Sequence, residues 1–548
     1  MRHFMMSASA VLFAAMAGCA GDGPTPTEWD DADGDGFLAG IDCDEDDPDI
    51  HPGADGDCDG VDQDCDGVVD EGCDTETTDP VDDTGSVTDD TGLTDTGPTG
   101  PTREFGPLDA DHQLASTMVG AGFGAVVGLP GDLDGDGNED VLVAGGNNVA
   151  FLFQGPIDPA ASVDIATATQ FAADAPITAI APAGDLDGDG FGDVLFGASR
   201  AGVAELPYKP GVTYVVRGGQ PYGGVNDLAQ SLAVLVGESD EDDAGITVDG
   251  LGDFNGDGAD DLLIGAPNED SAEGAAGAAY VVYGPISGEV ALADAELKLL
   301  GERRSHFSGH SVASCDANGD GSPDLIIGSP GEALEEGYEL GASYLVLGPV
   351  SGQVSLSASD AKRHGEVSAE RAGTAVAAPG DITGDGLDDY VVGSPFVKES
   401  PTVVDLGAVY VVSGDERDTE PLSNSAVRIY GGTPGEQAGF SITGMGDFDG
   451  DGRADFAVGA PGVGDGSKNG GGVYLIAAAD IADGGALLLD DIATRSFDGA
   501  IGDALGVSVA GGRDLDGDGW PDLIAGAPGY SQEAVGGGAV YFFFNGAE

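Results

Sequence analysis

Residues 131–140, GDLDGDGNED, hold four aspartates and three glycines, and the chain then runs straight into the apolar VLVAGG. Carboxylates spaced this closely repel one another, so the pattern asks for a cation among them. In D-x-D-x-D-G-x-x-D, alternate side chains turn toward one point while position seven offers its carbonyl. Glycine at position six permits the left-handed backbone that folds the loop over an ion. Hard oxygen donors in a flexible loop suit Ca²⁺. Mg²⁺ demands a stricter octahedron, and Zn²⁺ or Cu²⁺ would want the His or thiolate that these loops lack.

The pattern occurs seven times. Positions one, three, five and nine are Asp132, Asp134, Asp136 and Asp140, then Asp185, Asp187, Asp189 and Asp193. The third and fourth copies are Asp253, Asn255, Asp257 and Asp261, and Asp316, Asn318, Asp320 and Asp324. The last three are Asp381, Thr383, Asp385 and Asp389; Asp447, Asp449, Asp451 and Asp455; and Asp514, Asp516, Asp518 and Asp522. The neutral oxygens of Asn255, Asn318 and Thr383 predict weaker binding in those copies. Successive first aspartates lie 53, 68, 63, 65, 66 and 67 residues apart, which marks a repeat architecture.

The elements that position these loops repeat with them. Each loop leaves into a continuous apolar run such as DLLIGAP (261–267), the pattern of a strand buried on both faces. A polar, Gly-rich loop follows, then a second buried run such as GAAYVVYG (277–284), then a less regular fourth strand such as SLAVLV (231–236). Four antiparallel strands per unit without helical periodicity describe a propeller blade, and seven such blades closed in a ring bury one another's faces. The last apolar run, Ala539 to Phe544, is third in its blade, and LDADHQLASTM (108–118) has no blade of its own. That segment is predicted to form the outer strand of blade seven and close the ring. The expected fold is an all-β, seven-bladed propeller over residues 105–548.

The units resemble FG-GAP repeats, the blades of the integrin α-subunit head. Phe123-Gly124 and Phe440 match the FG, GAP stands at 265–267, 459–461 and 526–528, and GSP at 328–330 and 393–395. Blade one has AGGNN and blade two GAS in its place. The resemblance implies calcium hairpins on one face and ligand-binding loops on the other, here 237–244, 268–276, 301–308, 331–341 and 364–372. Most are acidic, and Arg303, Arg304 and Arg371 are candidates to meet an anionic sugar or carboxylate. About seven Ca²⁺ in a monomeric propeller, and a surface protein or glycan as ligand, are the expectations that follow.

Composition sets the outer bounds. Lys plus Arg number 18 against 100 Asp plus Glu, a formal charge of −82 that excludes nucleic acid as a partner. Yet 41% of residues are hydrophobic, too many for a wholly disordered acidic chain, so bound cations are expected. Residues 1–18 read as an export signal, because the apolar run is too short to span a bilayer. Met16-Ala17-Gly18-Cys19 resembles a bacterial lipoprotein processing box with Cys19 as the lipidated residue, and Ala20 after it points to the outer membrane or cell surface. A tether (19–29) leads into a core-less acidic segment, 30–74. Asp31, Asp33, Asp35 and Asp42 there fit a twelve-residue calcium loop, and Asp62, Asp64, Asp66 and Asp70 repeat the nine-residue spacing. Cys43, Cys58, Cys65 and Cys73 allow two disulfides in three pairings. The segment resembles the Cys- and Asp-rich metal-binding motif of bacterial surface proteins. Residues 75–104 are a Thr/Asp/Gly/Pro linker that self-repels and extends.

The sequence contains no GxSxG elbow, HExxH helix or phosphate loop. His306 and His310 lie four apart, but Ser308-Gly309 between them argues against a metal-binding helix. Cys315 reads as a small packed residue. The reading is an adhesion or ligand-recognition module on a surface lipoprotein. A calcium-dependent polysaccharide lyase or hydrolase on a propeller scaffold is the alternative, since paired carboxylates abound, and a passive envelope spacer is a third.

Overall fold

Within each blade the apolar runs form strands that pair antiparallel in chain order, as expected where short polar loops join them. The computed structural model describes residues 112–115 and 121–545, apart from 147, 158–164, 166–167, 203–208, 271–273, 334–339, 367–368, 399–404, 463–469, 483, 501 and 532–534. Seven sheets follow one another along the chain. In blade three, for example, Val248–Gly252, Asp261–Ala266, Ala278–Val282 and Leu297–Leu300 pair antiparallel in that order. The second strand of every blade from blade two onward is buried at all six positions, and the third is buried throughout. Such strands bury both faces because the core lies between blades. One hydrophobic cluster joins Leu195 and Val215 of blade two to Leu262 and Tyr280 of blade three, and another joins Val141 and Phe151 of blade one to Ile524 and Phe542 of blade seven.

Ring closure follows the sequence expectation. His112–Ala115 pairs antiparallel with Ala539–Phe543, with His112 opposite Phe542 and Ala115 opposite Ala539. The side chain of Leu114 is buried beneath it, in the cluster shared by blades one and seven. The FG-GAP glycines have a steric reason as well. A Cβ on Gly265 would lie 2.0 Å from the carbonyl oxygen of Gly309 in the next blade, and one on Gly526 1.9 Å from that of Gly124 across the closure. Only glycine lets the backbones of adjacent blades approach this closely.

Two features depart from four simple strands per blade. Five blades carry a fifth, parallel outer strand lent by the next blade's third-to-fourth connection: Val225–Asp227, Gly288–Ala291, Gly352–Ser355, Thr419–Pro421 and Gly485–Leu488. These strands are exposed or half-buried and, apart from the GALL of Gly485–Leu488, lack strand-like apolar character, so periodicity does not reveal them. Each leads into a single short helical turn that plugs one leucine into the inter-blade core: Leu228, Leu292, Leu356, Leu422 and Leu489. The other departure is local. Six first strands carry a β-bulge just before the acidic loop, at Gly128/Gly131 in blade one for instance, whereas blade four runs without one into Cys315. Cys315 is buried, as expected of a small packed residue, and burial pushes its thiol pKa up. Among the described residues no helix is long and apolar enough to cross a membrane.

Candidate metal centre

Each acidic loop joins the first and second strands of its blade, so the seven share one end of the ring. In blade one, Oδ1 of Asp132 accepts the amides of Gly135 and Asp136 at 2.8 and 2.9 Å, and Oδ2 accepts that of Gly137 at 2.8 Å. Asp134 accepts the Asp136 amide at 3.1 Å and Asp136 that of Asn138 at 2.9 Å. The glycines at positions four and six have positive φ in all seven copies, 79° and 95° for Gly135 and Gly137. The same bonds recur at Asp185, Asp187 and Asp189 and at Asp514, Asp516 and Asp518.

Position nine has a second task that spacing did not suggest. Asp140 is fully buried; one oxygen accepts the Leu133 amide and the other that of Gly155, just past the third strand, both at 3.0 Å. Asp193, Asp261, Asp324, Asp389, Asp455 and Asp522 likewise tie the loop to Gly218, Gly284, Gly348, Gly414, Ala478 and Asn545. Burial, aided by neighbouring acids and opposed by these amides, pushes the carboxyls of Asp140, Asp193, Asp261 and Asp324 to about 6. Asp455 and Asp522 rise to about 7 for the same reason. A nearby cation offsets such a penalty.

The residues fit a hard divalent cation. Ligand oxygens of Asp132, Asp134 and Asp136 lie within 4.8 Å of one another, as do those of Asp185, Asp187 and Asp193, of Asp447, Asp449 and Asp455, and of Asp514, Asp516 and Asp522. Oδ2 of the buried Asp324 has no hydrogen-bond partner. The loops with Asn255, Asn318 and Thr383 form no such three-acid group, although their position-five acids, Asp257, Asp320 and Asp385, accept the same position-seven amides as in the other four loops.

Sequence reasoning missed the residues that face the loops from elsewhere. The residue after each third strand is Gln154, Arg217, Tyr283, Leu347, Ser413, Ala477 or Phe544. The Gln154 amide donates to Asp134, Arg217 to Asp187, and the Ser413 hydroxyl to Asp385 at 3.2 Å. Alignment of the third strands would have flagged this position. Neighbouring loops are also linked: Asp260 of blade three accepts the Asp185 amide at 2.7 Å, and Asp388 of blade five that of Asp316 at 3.1 Å.

At the opposite end, Arg303 and Arg304 are exposed in the loop entering blade four, and Arg371 is half-buried in that entering blade five with its guanidinium 5.1 Å from the Phe396 ring centre. Beneath these loops lies a buried polar cluster. Lys362 Nζ sits 2.8 Å from Glu332, 3.1 Å from Glu302 and 5.1 Å from the Tyr344 ring centre, with His306 against Glu332. Blade three repeats it with Lys298, Glu238, Glu269 and Tyr280. His310 turns to the Thr374 carbonyl, so the two histidines serve different partners. The acids at 31–70, Cys19 and the four clustered cysteines lie outside the described residues.

Comparison with known proteins finds matches in the blades and in the segment before them. The FG-GAP repeat family matches residues 244–282, 308–346, 439–476 and 505–543, in blades three, four, six and seven. The family described as "Putative metal-binding motif" matches 42–71. Integrin alpha pat-2 of Caenorhabditis elegans is 30% identical over 236 residues, 38% of this chain and 17% of that protein. Integrin alpha-5 of Xenopus laevis is 31% identical over 243 residues, 42% of this chain and 20% of that protein. The chain thus spans at most about a fifth of the length of these curated relatives. A crystal structure of BBS1N in complex with ARL6DN, soaked with lead, superposes over 79% of this chain and 98% of that one, with a TM-score of 0.41 and 10% identity. The chain is therefore a closed seven-bladed β-propeller carrying FG-GAP repeats, preceded by a metal-binding-motif segment, and its sequence relatives include integrin α subunits.

Proposed function

We propose that this protein is a calcium-loaded recognition module displayed at a bacterial cell surface, where its propeller binds a protein or glycan. The observation that carries this reading is the pairing of integrin-α similarity with seven acidic loops gathered at one end of a closed ring. Ca²⁺ fits the hard oxygen donors and the flexible Asp-Gly loops. Its role is structural first: it neutralises the buried position-nine aspartates and pins the hairpin between the first two strands. Recognition then falls to the opposite end, where Arg303 and Arg304 are exposed. Cys19 supplies a lipid anchor, and the acidic segment and linker carry the propeller away from the membrane.

The test is capture of envelope polysaccharides and surface proteins by the purified protein, in millimolar calcium and again in chelator. A partner held only with calcium, and lost with Arg303→Ala, supports the reading. Shortening of an added polysaccharide would replace it with the enzyme, and neither capture nor turnover by folded protein with the passive spacer. The anchor is tested separately, since Cys19→Ala protein that still fractionates with membranes would refute it.

A further inference from the structure

Seven homologous loops invite the assumption that those with the most carboxylates hold calcium most tightly. Blade two has aspartate at all four ligand positions, and Asp185, Asp187 and Asp193 converge within 4.8 Å. Yet it alone meets a cation from the position that follows the third strand. The Arg217 guanidinium contacts Asp187 through both Nε and Nη2 and reaches Asp189 at 3.8 Å. The equivalent position holds the neutral Gln154 in blade one, Ser413 in blade five, and Tyr283, Leu347, Ala477 and Phe544 elsewhere. The arginine is also held at its base, because the Tyr222 hydroxyl donates to its carbonyl oxygen at 2.7 Å.

We propose that Arg217 is a resident counter-ion of the blade-two loop, which Ca²⁺ has to displace, so that this acid-rich loop fills after the other four-aspartate loops. The inference rests on the calcium reading above. A guanidinium stays protonated at any working pH, so it neutralises Asp187 permanently and cannot step aside by losing its proton. A dication entering the loop either breaks the Arg217–Asp187 contact or settles beside a like charge, and both weaken binding. Without metal, the same contact relieves the repulsion among the blade-two acids. Blade two therefore holds its hairpin when calcium is scarce; in blade six the loop's own Arg453 reaches only Asp451, at 3.8 Å, and the loops without a cation depend on the ion. The displaced side chain has room to move: Arg217 lines a cavity of about 360 Å³ with Gln220, Tyr222, Asn226 and Gln230.

The test is a reciprocal exchange in the full-length protein, Arg217→Gln and Gln154→Arg, with Arg217→Lys as the charge-preserving variant. Calcium uptake is followed by titration calorimetry from micromolar to millimolar, and metal-free stability by urea unfolding in chelator. Other calcium sites of the chain are common to all variants and cancel in the comparison. Arg217→Gln is expected to shift one ion into the tight phase, a gain of about 10-fold in its affinity, or about 1.4 kcal/mol. It is also expected to lower the unfolding midpoint in chelator, and these opposite signs are what a merely structural arginine would not produce. Gln154→Arg should move one ion out of the tight phase, and Arg217→Lys should behave like the parent. Unchanged titrations for both exchanges would overturn the proposal and leave the calcium reading intact. No calcium uptake by any variant would overturn both.

Discussion

Lys362 gives the sharpest test of how the propeller tolerates charge in its interior. The side chain lies between Glu302 and Glu332 at 3.1 and 2.8 Å, over the ring of the fully buried Tyr344, and Glu332 is only 2% exposed. Lys362→Met keeps the unbranched apolar stem of the side chain and removes its charged end, leaving Glu332 with His306 and the Tyr344 hydroxyl. Removing one member of a buried pair strands the other, and the expected loss is about 3–5 kcal/mol. Urea unfolding in calcium measures it. The double variant Lys362→Met/Glu332→Gln should recover most of the loss, because the penalty lies in the stranded carboxylate and not in the missing contact.

The pH dependence of the same variant follows from Glu332. Burial alone would push its carboxyl up, but hydrogen bonds from His306 and Lys362 outweigh that and hold it below its ordinary value of 4.5. A depressed carboxyl contributes stability above its unfolded value and loses it as the pH falls through the folded one. Without Lys362 the depression is lost, so the deficit of the variant should shrink as the pH falls from 7 to 4. A single variant within about 1 kcal/mol of the parent, or a double variant no better than the single, would refute this account.

Three further outcomes follow. At 1 mM calcium and a dissociation constant of ~10⁻⁴ M, each occupied loop adds about 1.4 kcal/mol, so chelator should lower the melting temperature markedly, and an unchanged value would refute the calcium cage. Leu356, 1% exposed where the strand lent by blade four turns back into the core between blades three and four, should cost about 2–5 kcal/mol as Leu356→Ala by urea unfolding. Leu114→Asp should unseat the closing strand, lowering stability and exposing the Ala539–Phe543 edge, which light scattering would register as self-association.

Much of this molecule is written locally. The period of the aspartate loops, the two buried strands that follow them and the third-in-blade apolar run at 539–544 are sequence properties, and together they specified seven blades, the ring and its closure by the segment that contains His112–Ala115. They are legible because each depends on contacts within one repeat or on the need to cover an edge. The lent fifth strands were not legible, since their residues are exposed or half-buried and their partners lie in another blade. The leucine plugs at 228, 292, 356, 422 and 489 recur in the sequence, but only the packing shows that each enters the seam between two blades. The same holds at the metal loops. Spacing marked the aspartates as candidate ligands, whereas burial made position nine a structural tie, and the end of a distant strand placed Arg217 against Asp187. Ligand chemistry is carried by residue type and spacing along the chain. The charge a loop actually feels depends on side chains that arrive from other strands, and only the assembled ring decides which those are.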